Sequence, residues 1–258
     1  MVTINDISQH IHEQLYHRSR ELHVQEARIG LGYVGVLLER DRMGLAALLR
    51  SKLPPGCSTL GKAGTLAGSN ASELLDLLVT GRNPLEKALG LATANAIIHP
   101  DNTGESETDS IALMDLSPAD TVAMVGYFGP LVERIRKTGA NLHIIEKDPG
   151  RMKIPVRKET DSILERCSVA IITATSILNN TIEEILNRLG TTRHVTILGP
   201  STPMFGEAFA QTSVTHLGGS AVLDPRKIMQ IISEGGGTPD MRPFLRFIDR
   251  TIKHNADT

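Results

Sequence analysis

The chain has 258 residues, 40% hydrophobic and 22% charged, with a formal net charge of −2. That balance supports packed cores in one large or two ordinary domains and excludes a disordered tail. Five Phe, three Tyr, no Trp and scattered Lys and Arg offer neither a basic stripe nor base-stacking platforms, which argues against nucleic acid as a partner.

The opening segment MVTINDISQHIHEQLYHRSREL lacks the basic-then-apolar order of a signal peptide. No apolar run approaches the roughly 18 residues of a membrane span, so a cytoplasmic protein with no membrane partner is expected. Ile4, Ile7, Ile11, Leu15 and Leu22 recur at helical spacing and predict a first amphipathic helix. His10, His12, His17 and His23 contain no i, i+4 pair and read as a solvated helix face rather than a metal cluster.

GLGYVG, Gly30 to Gly35, matches the dinucleotide fingerprint GxGxxG letter for letter. The fingerprint works only where glycines end a strand and open a helix. Here a short apolar run, the charged turn Glu39–Arg42, Gly44 and another apolar run follow, which is the grammar of a hairpin. KLPPGCSTLGKAGTLAGSN reads as loop with room for a short strand. ASELLDLLVTG predicts a helix started by Ser69, Asn70 or Ser72, and NPLEKALGLATANAII a second with Asn83 as cap and Pro84 in its first turn. The polar, breaker-rich stretch from residue 99 places an α+β domain over 1–100, a linker over 101–118 and a second domain over 119–258.

That second domain alternates. DTVAMVGYF is a strand, GPLVERIRKTG a helix and NLHIIEKD a strand, which together make a βαβ unit with a parallel pair. CSVAIITATS, HVTILGPS and SVTHLGGSAV continue as strands, with NNTIEEILNRL and PRKIMQIISEGG as helices. The prediction is an α/β protein ending in an open, doubly wound parallel sheet.

Ligands of such sheets bind beyond the carboxyl ends of the strands. Those ends read as Gly126–Gly129, Glu146, Thr173–Asn180, Gly199–Thr202 and Gly218-Gly219. Pro200 and Pro203 stiffen the fourth loop so that Ser201 and Thr202 face the cleft, with a helix-capping role for Ser201 left open. Glu146 follows Gly126 by twenty positions, where an acid bonds a ribose hydroxyl in nucleotide-binding folds. The loop GYFGP lacks the middle glycine that admits pyrophosphate, so a nucleoside-type ligand fits better than NAD. Thr173, Asn179 and Thr181 add hydroxyls and an amide, with helix capping by Asn180 or Thr181 as the competing role. No GxSxG, HExxH or Cys with a sequence-local His is present. His143, His194 and His216 sit in or at strands and read as core or surface residues. Cys57 and Cys167 form no CxxC pair and read as ordinary thiols of a reducing cytosol.

NPLEKALGLATANAI, VGYFGPL, EKDP, IITATSILNNTIEEIL, LGPSTPMF, LGGSAVLD and EGGG, in that order, resemble the putative heavy-metal chelation family of prokaryotic proteins over nearly the whole chain. The resemblance implies an enolase N-terminal-like domain followed by a Rossmann-like domain, with an active site between them. It marks Gly126, Phe128, Pro130, Glu146, Thr173, Asn179, Thr181, Gly199, Pro200, Ser201 and Pro203, together with Asn83, Glu86 and Asn95. Asn180 stands where the pattern has glycine, and Ser168 where it often has an acid. The candidate ligand-binding set is Gly126, Phe128, Glu146, Thr173, Asn179, Thr181, Gly199, Ser201, Thr202 and Gly219. The expected partner is a small polar ligand, a metal ion or a metal chelate; no particular cofactor is indicated, and a homo-oligomer is left open. A dedicated chelator would show thiolate or imidazole clusters, so the leading expectation is a protein that binds a small polar, nucleoside-type ligand in the cleft between the two domains and acts on it in metal chelation or handling. The alternatives are a non-catalytic metal-binding or metal-delivery protein and an NAD-dependent oxidoreductase.

Overall fold

The computed structural model describes residues 6–56, 58–99, 110–146 and 157–252, with backbone alone for 110–111 and 157–158. Ile4, Cys57, the first half of the expected linker (101–109) and the Lys147–Pro149 part of the EKDP motif lie outside the described residues.

Helix α1 (Ile7–Ser19) starts at Asp6, whose carboxylate accepts from the Gln9 amide at 3.1 Å, and buries Ile7, Ile11 and Leu15. An antiparallel meander follows: β1 (Val24–Ile29), β2 (Tyr33–Leu38) and β3 (Arg42–Ala47). Arg40 and Asp41, with φ of 63° and 55°, turn the second hairpin, whose register of Leu38 opposite Arg42 leaves the three-residue loop 39–41. The expected single helix over 71–81 divides at Asp76 into α2 (Ala71–Leu75) and α3 (Leu77–Thr80), with Asn70 as cap. Helix α4 (Pro84–Ile98) is capped by Asn83, which accepts from the amides of Leu85 and Glu86 at 3.0 Å. It lies so close to β3 that a methyl group on Gly44 would come within 2.1 Å of the Ala92 carbonyl oxygen.

After α5 (Ser110–Leu113) the chain builds β4 (Thr121–Val125), α6 (Gly129–Lys137), β5 (Asn141–Ile145), α7 (Arg157–Arg166) and β6 (Val169–Thr173). It continues with α8 (Thr175–Leu178), α9 (Ile182–Arg188), β7 (His194–Leu198), β8 (His216–Val222), α10 (Pro225–Ser233), α11 (Thr238–Met241) and β9 (Leu245–Thr251). The sheet order is β5-β4-β6-β7-β8-β9, parallel except for β9. The protein is therefore a mixed α/β fold: an N-terminal α+β region, then a predominantly parallel sheet. Strand order reverses at β4, flanked by β5 on one side and β6 on the other.

Two features depart from the sequence reading. Strand β8 does not stop at Gly218-Gly219 but pairs with β9 through Val222, and Gly219 is buried under Met204, whose Sδ lies 2.6 Å from where a side chain would begin. Gly219 thus serves packing and does not open into a cleft. Helix α10 packs against β1 and β2 of the meander, with Ile228, Met229 and Ile232 joining Met43 and Leu45 of β3 in one cluster. This explains GLGYVG. A methyl on Gly30 would lie 2.1 Å from the Ile232 carbonyl oxygen, and one on Gly35 2.8 Å from Ile232 Cδ1, so these glycines admit a helix and form no phosphate loop. A second cluster runs without interruption through both regions, from Leu15 and Leu89 to Ile177, Ile182 and Phe209.

Candidate functional site

Strands β4, β5, β6 and β7 end on one rim. At the reversal point Gly126 has φ of +93°, and a methyl there would meet Thr173 Cβ and Cγ2 at 2.9 Å. Both the dihedral and the space call for glycine. The Gly126 amide donates to the Ile145 carbonyl at 2.9 Å, which sets Glu146, the next residue, beside Gly126. Gly199 has φ of +126°, and a methyl there would lie 4.0 Å from Phe128 Cε1. Gly126, Phe128, Glu146, Thr173 and Gly199 are thus brought together. Phe128 sits at the cap position of α6 without a side-chain cap, and Tyr127 is 45% exposed beside it.

Thr173 and Thr175 share a hydrogen bond at 3.0 Å between hydroxyls, and Ser176 Oγ donates to the Thr173 carbonyl at 2.7 Å. The Thr181 hydroxyl donates to Asn179 Oδ1 and makes no cap bond to α9, so these two side chains hold each other. Asn180 adopts φ of 54°, the left-handed conformation that glycine and asparagine tolerate best. Asparagine in place of the glycine that the resemblance leads one to expect is therefore conformationally mild, and Asn180 Oδ1 accepts from Lys87 Nζ of α4 at 2.6 Å. Ser168, the other departure, donates to Asp120 at 2.7 Å and accepts from the Thr121 amide. Asp120 also receives Arg193, at 3.0 and 3.2 Å, and Ser117; the Arg193 guanidinium foremost holds its carboxyl well below the usual range.

Ser201 and Thr202 do not face the rim. Ser201 Oγ accepts from the Ala47 amide of β3 at 2.8 Å, and Asn95 Nδ2 donates to the Ser201 carbonyl at 3.1 Å and to the Leu45 carbonyl at 2.8 Å. Both loop residues are buried, 2% and 3% exposed. Pro200 and Pro203 thus press the loop against the N-terminal region, because a β3 amide there needs an acceptor. Asn83 and Glu86 likewise close the start of α4, Glu86 accepting from the Arg82 amide at 2.7 Å. A wider groove of about 460 Å³ opens between the β1–β2 turn, Arg50, Leu85 and the end of α10 at Glu234. None of the residues of the candidate ligand-binding set lines it; from the sequence motifs it takes Gly30 and Leu31 of GLGYVG, Leu85 of the α4 motif, and Glu234 and Gly235 of EGGG.

The donor chemistry of the described residues does not fit a heavy-metal centre. Among the described residues no group of three or more His, Cys, Asp or Glu side chains could hold an ion. Cys167 is buried, donates to the Leu164 carbonyl, and has its thiol pKa raised by burial. His12 lies 2.7 Å from Asp76 and His23 3.7 Å from Glu39, away from each other's partners. His194 and His216 stack at 4.1 Å at the opposite ends of their strands from the rim. No helix among the described residues is long and apolar enough to cross a membrane.

A parallel sheet whose order reverses beside a glycine-lined rim defines an α/β protein of the Rossmann-like type. Two family models match, both described as putative heavy-metal chelation: DUF4213 over residues 12–98 and DUF364 over residues 109–249. The chain belongs to this family. An uncharacterized protein of Methanocaldococcus jannaschii is 23% identical over 150 residues, which is 56% of this chain and 58% of that protein; the match thus spans little more than half of that relative. A crystal structure of a DUF364-family protein of unknown function from Pyrococcus horikoshii superposes with a TM-score of 0.83 at 20% identity, covering 95% of this chain and all of that one. Another from Desulfitobacterium hafniense gives 0.78 at 19% identity, covering 95% and 98%. At such identities these structures speak to the fold.

Proposed function

We propose that the protein binds a small polar metabolite, nucleoside-type ligands foremost, at the rim of the parallel sheet, and that it acts in metal handling through that metabolite rather than by holding a metal on its own side chains. The observation that carries this reading is the contact of Gly126 with Thr173 where strand order reverses. Glu146 supplies a carboxylate for paired hydroxyls, Thr173 and Thr175 supply hydroxyls, and the Tyr127 and Phe128 rings supply flat apolar surface. A pyrophosphate has no middle glycine to approach between Gly126 and Gly129, which disfavours NAD. The N-terminal region, joined through Asn95 and Ser201, then braces the Gly199–Thr202 turn from behind.

Isothermal titration with adenosine as probe tests this on the full chain. Saturable heat is expected, weakened about tenfold or more in Glu146→Gln, as loss of a charge-assisted hydrogen bond implies, and abolished in Gly126→Ala. Unchanged affinity in both variants, with loss in Arg50→Ala, would move the site to the wider groove.

A further inference from the structure

Three side-chain oxygens, Asn95 Oδ1, Thr202 Oγ1 and Ser220 Oγ, are buried without a hydrogen-bond partner, and all three residues line one small, partly open cavity. The cavity lies where β3 and α4 of the N-terminal region meet the loop after β7 and strand β8, with Gly44 and Met204 completing its wall. Buried polar groups in native proteins are nearly always paired, and an orphan calls for a partner.

The orientation of Asn95 narrows the choice. Its Nδ2 already donates to two carbonyls, those of Leu45 and Ser201, so Oδ1 is the end that faces the cavity and it can only accept. The occupant must therefore donate at least one hydrogen bond. Thr202 and Ser220 carry hydroxyls, which donate or accept as required. The volume, about 10 Å³, sits at the lower edge of the roughly 10–15 Å³ that one water needs, and a buried water makes about three hydrogen bonds. None of the lining residues is charged, so nothing balances a cation.

We propose that this cavity is a binding site for a single ordered water, hydrogen-bonded to Asn95, Thr202 and Ser220. The water ties α4 to the β7 loop and to β8, and so holds the Gly199–Thr202 turn from behind. Thr202, whose sequence position suggested a ligand contact, acts instead on this internal water and positions the rim. The inference stands on the orphaned atoms and does not depend on which metabolite binds at the rim.

A high-resolution crystal structure of the full chain, paired with a double-mutant cycle, tests it. One density peak within hydrogen-bonding distance of all three oxygens is expected. An empty cavity, or the three side chains turned onto one another, would overturn the proposal; a peak with short contacts of about 2.4 Å, as hard cations make, would overturn the identity of the occupant. In the cycle, Thr202→Val and Ser220→Ala should each lower Tm, and the double variant by clearly less than the sum, because both hydroxyls act through one molecule. Strict additivity would contradict a shared water, and the density on the unmodified protein decides the matter should either variant fold poorly.

Discussion

Ser201→Ala removes one oxygen at the junction of the two regions. Ser201 Oγ is the acceptor for the Ala47 amide at 2.8 Å, and Ser201 is only 2% exposed. Deleting the hydroxyl loses the bond and strands a backbone donor at the end of β3. A neutral hydrogen bond contributes about 1 kcal/mol net, and a buried donor left unpaired costs about 1–3 kcal/mol, so about 2 kcal/mol is expected. The Asn95 bonds to the Ser201 and Leu45 carbonyls use backbone oxygens and survive the change, which keeps the effect from growing larger. At 1.4 kcal/mol per tenfold, local opening at Ala47 should become about 30-fold more frequent. Urea denaturation reads the stability, and amide hydrogen exchange reads Ala47 itself. A stability change under about 0.5 kcal/mol with unaltered protection of the Ala47 amide would refute the idea that this serine is a joint.

Gly30→Ala should destabilise by about 1–3 kcal/mol, because its methyl meets the Ile232 carbonyl oxygen at 2.1 Å and α10 must shift. Gly32→Ala, whose methyl would find only the Gly236 oxygen at 3.8 Å, should be nearly silent; a dinucleotide loop would put the greater demand on that middle glycine, so equal effects in denaturation would undo the hairpin reading. Asp120→Asn should cost about 2–3 kcal/mol at pH 7, discounted from the full value for a buried pair because the Arg193 side chain is 44% exposed. Since the folded pKa of Asp120 is depressed, its contribution is complete above about pH 4, the usual unfolded value, and fades as pH falls below it; a cost that persists undiminished in acid would contradict the assignment. Burial first, then the His216 and Arg193 charges, push His194 from 6.5 down to about 4, so the folded state resists a proton that the unfolded chain accepts. Stability is complete above about pH 6.5 and should fall by about 2 kcal/mol by pH 5, a loss absent in His194→Gln; parallel pH profiles for the two proteins would exclude this histidine as the cause.

The alternation of apolar runs with Pro- and Gly-punctuated helices made the parallel sheet legible, as did Asn83-Pro84 for the start of α4 and the charged turn at 39–42 for the second hairpin. Strand β9 was not legible, since LRFIDRT mixes charge into its inner face and its partner β8 was expected to stop at Gly219. Helix α10 was found, but a period of 3.6 names a buried face and not what covers it. The rim was legible where backbone geometry demands glycine, at Gly126 and Gly199. Ser201 and Thr202 were misread because their burial comes from β3 and α4, some hundred or more residues earlier in the chain, and local turn chemistry carries no record of such neighbours. Asn95 stood out only through the family resemblance, and the structure supplies its physical role in joining β3 to the β7 loop.

The central claim is a small-molecule site at the rim of the parallel sheet, and native mass spectrometry of freshly purified, gently desalted protein, with elemental analysis of the same sample, tests it most directly. The account predicts a bound organic mass without stoichiometric metal, retained by Arg50→Ala, reduced in Glu146→Gln and lost in Gly126→Ala. Stoichiometric transition metal with no organic mass, or an organic mass indifferent to both rim substitutions, would contradict it.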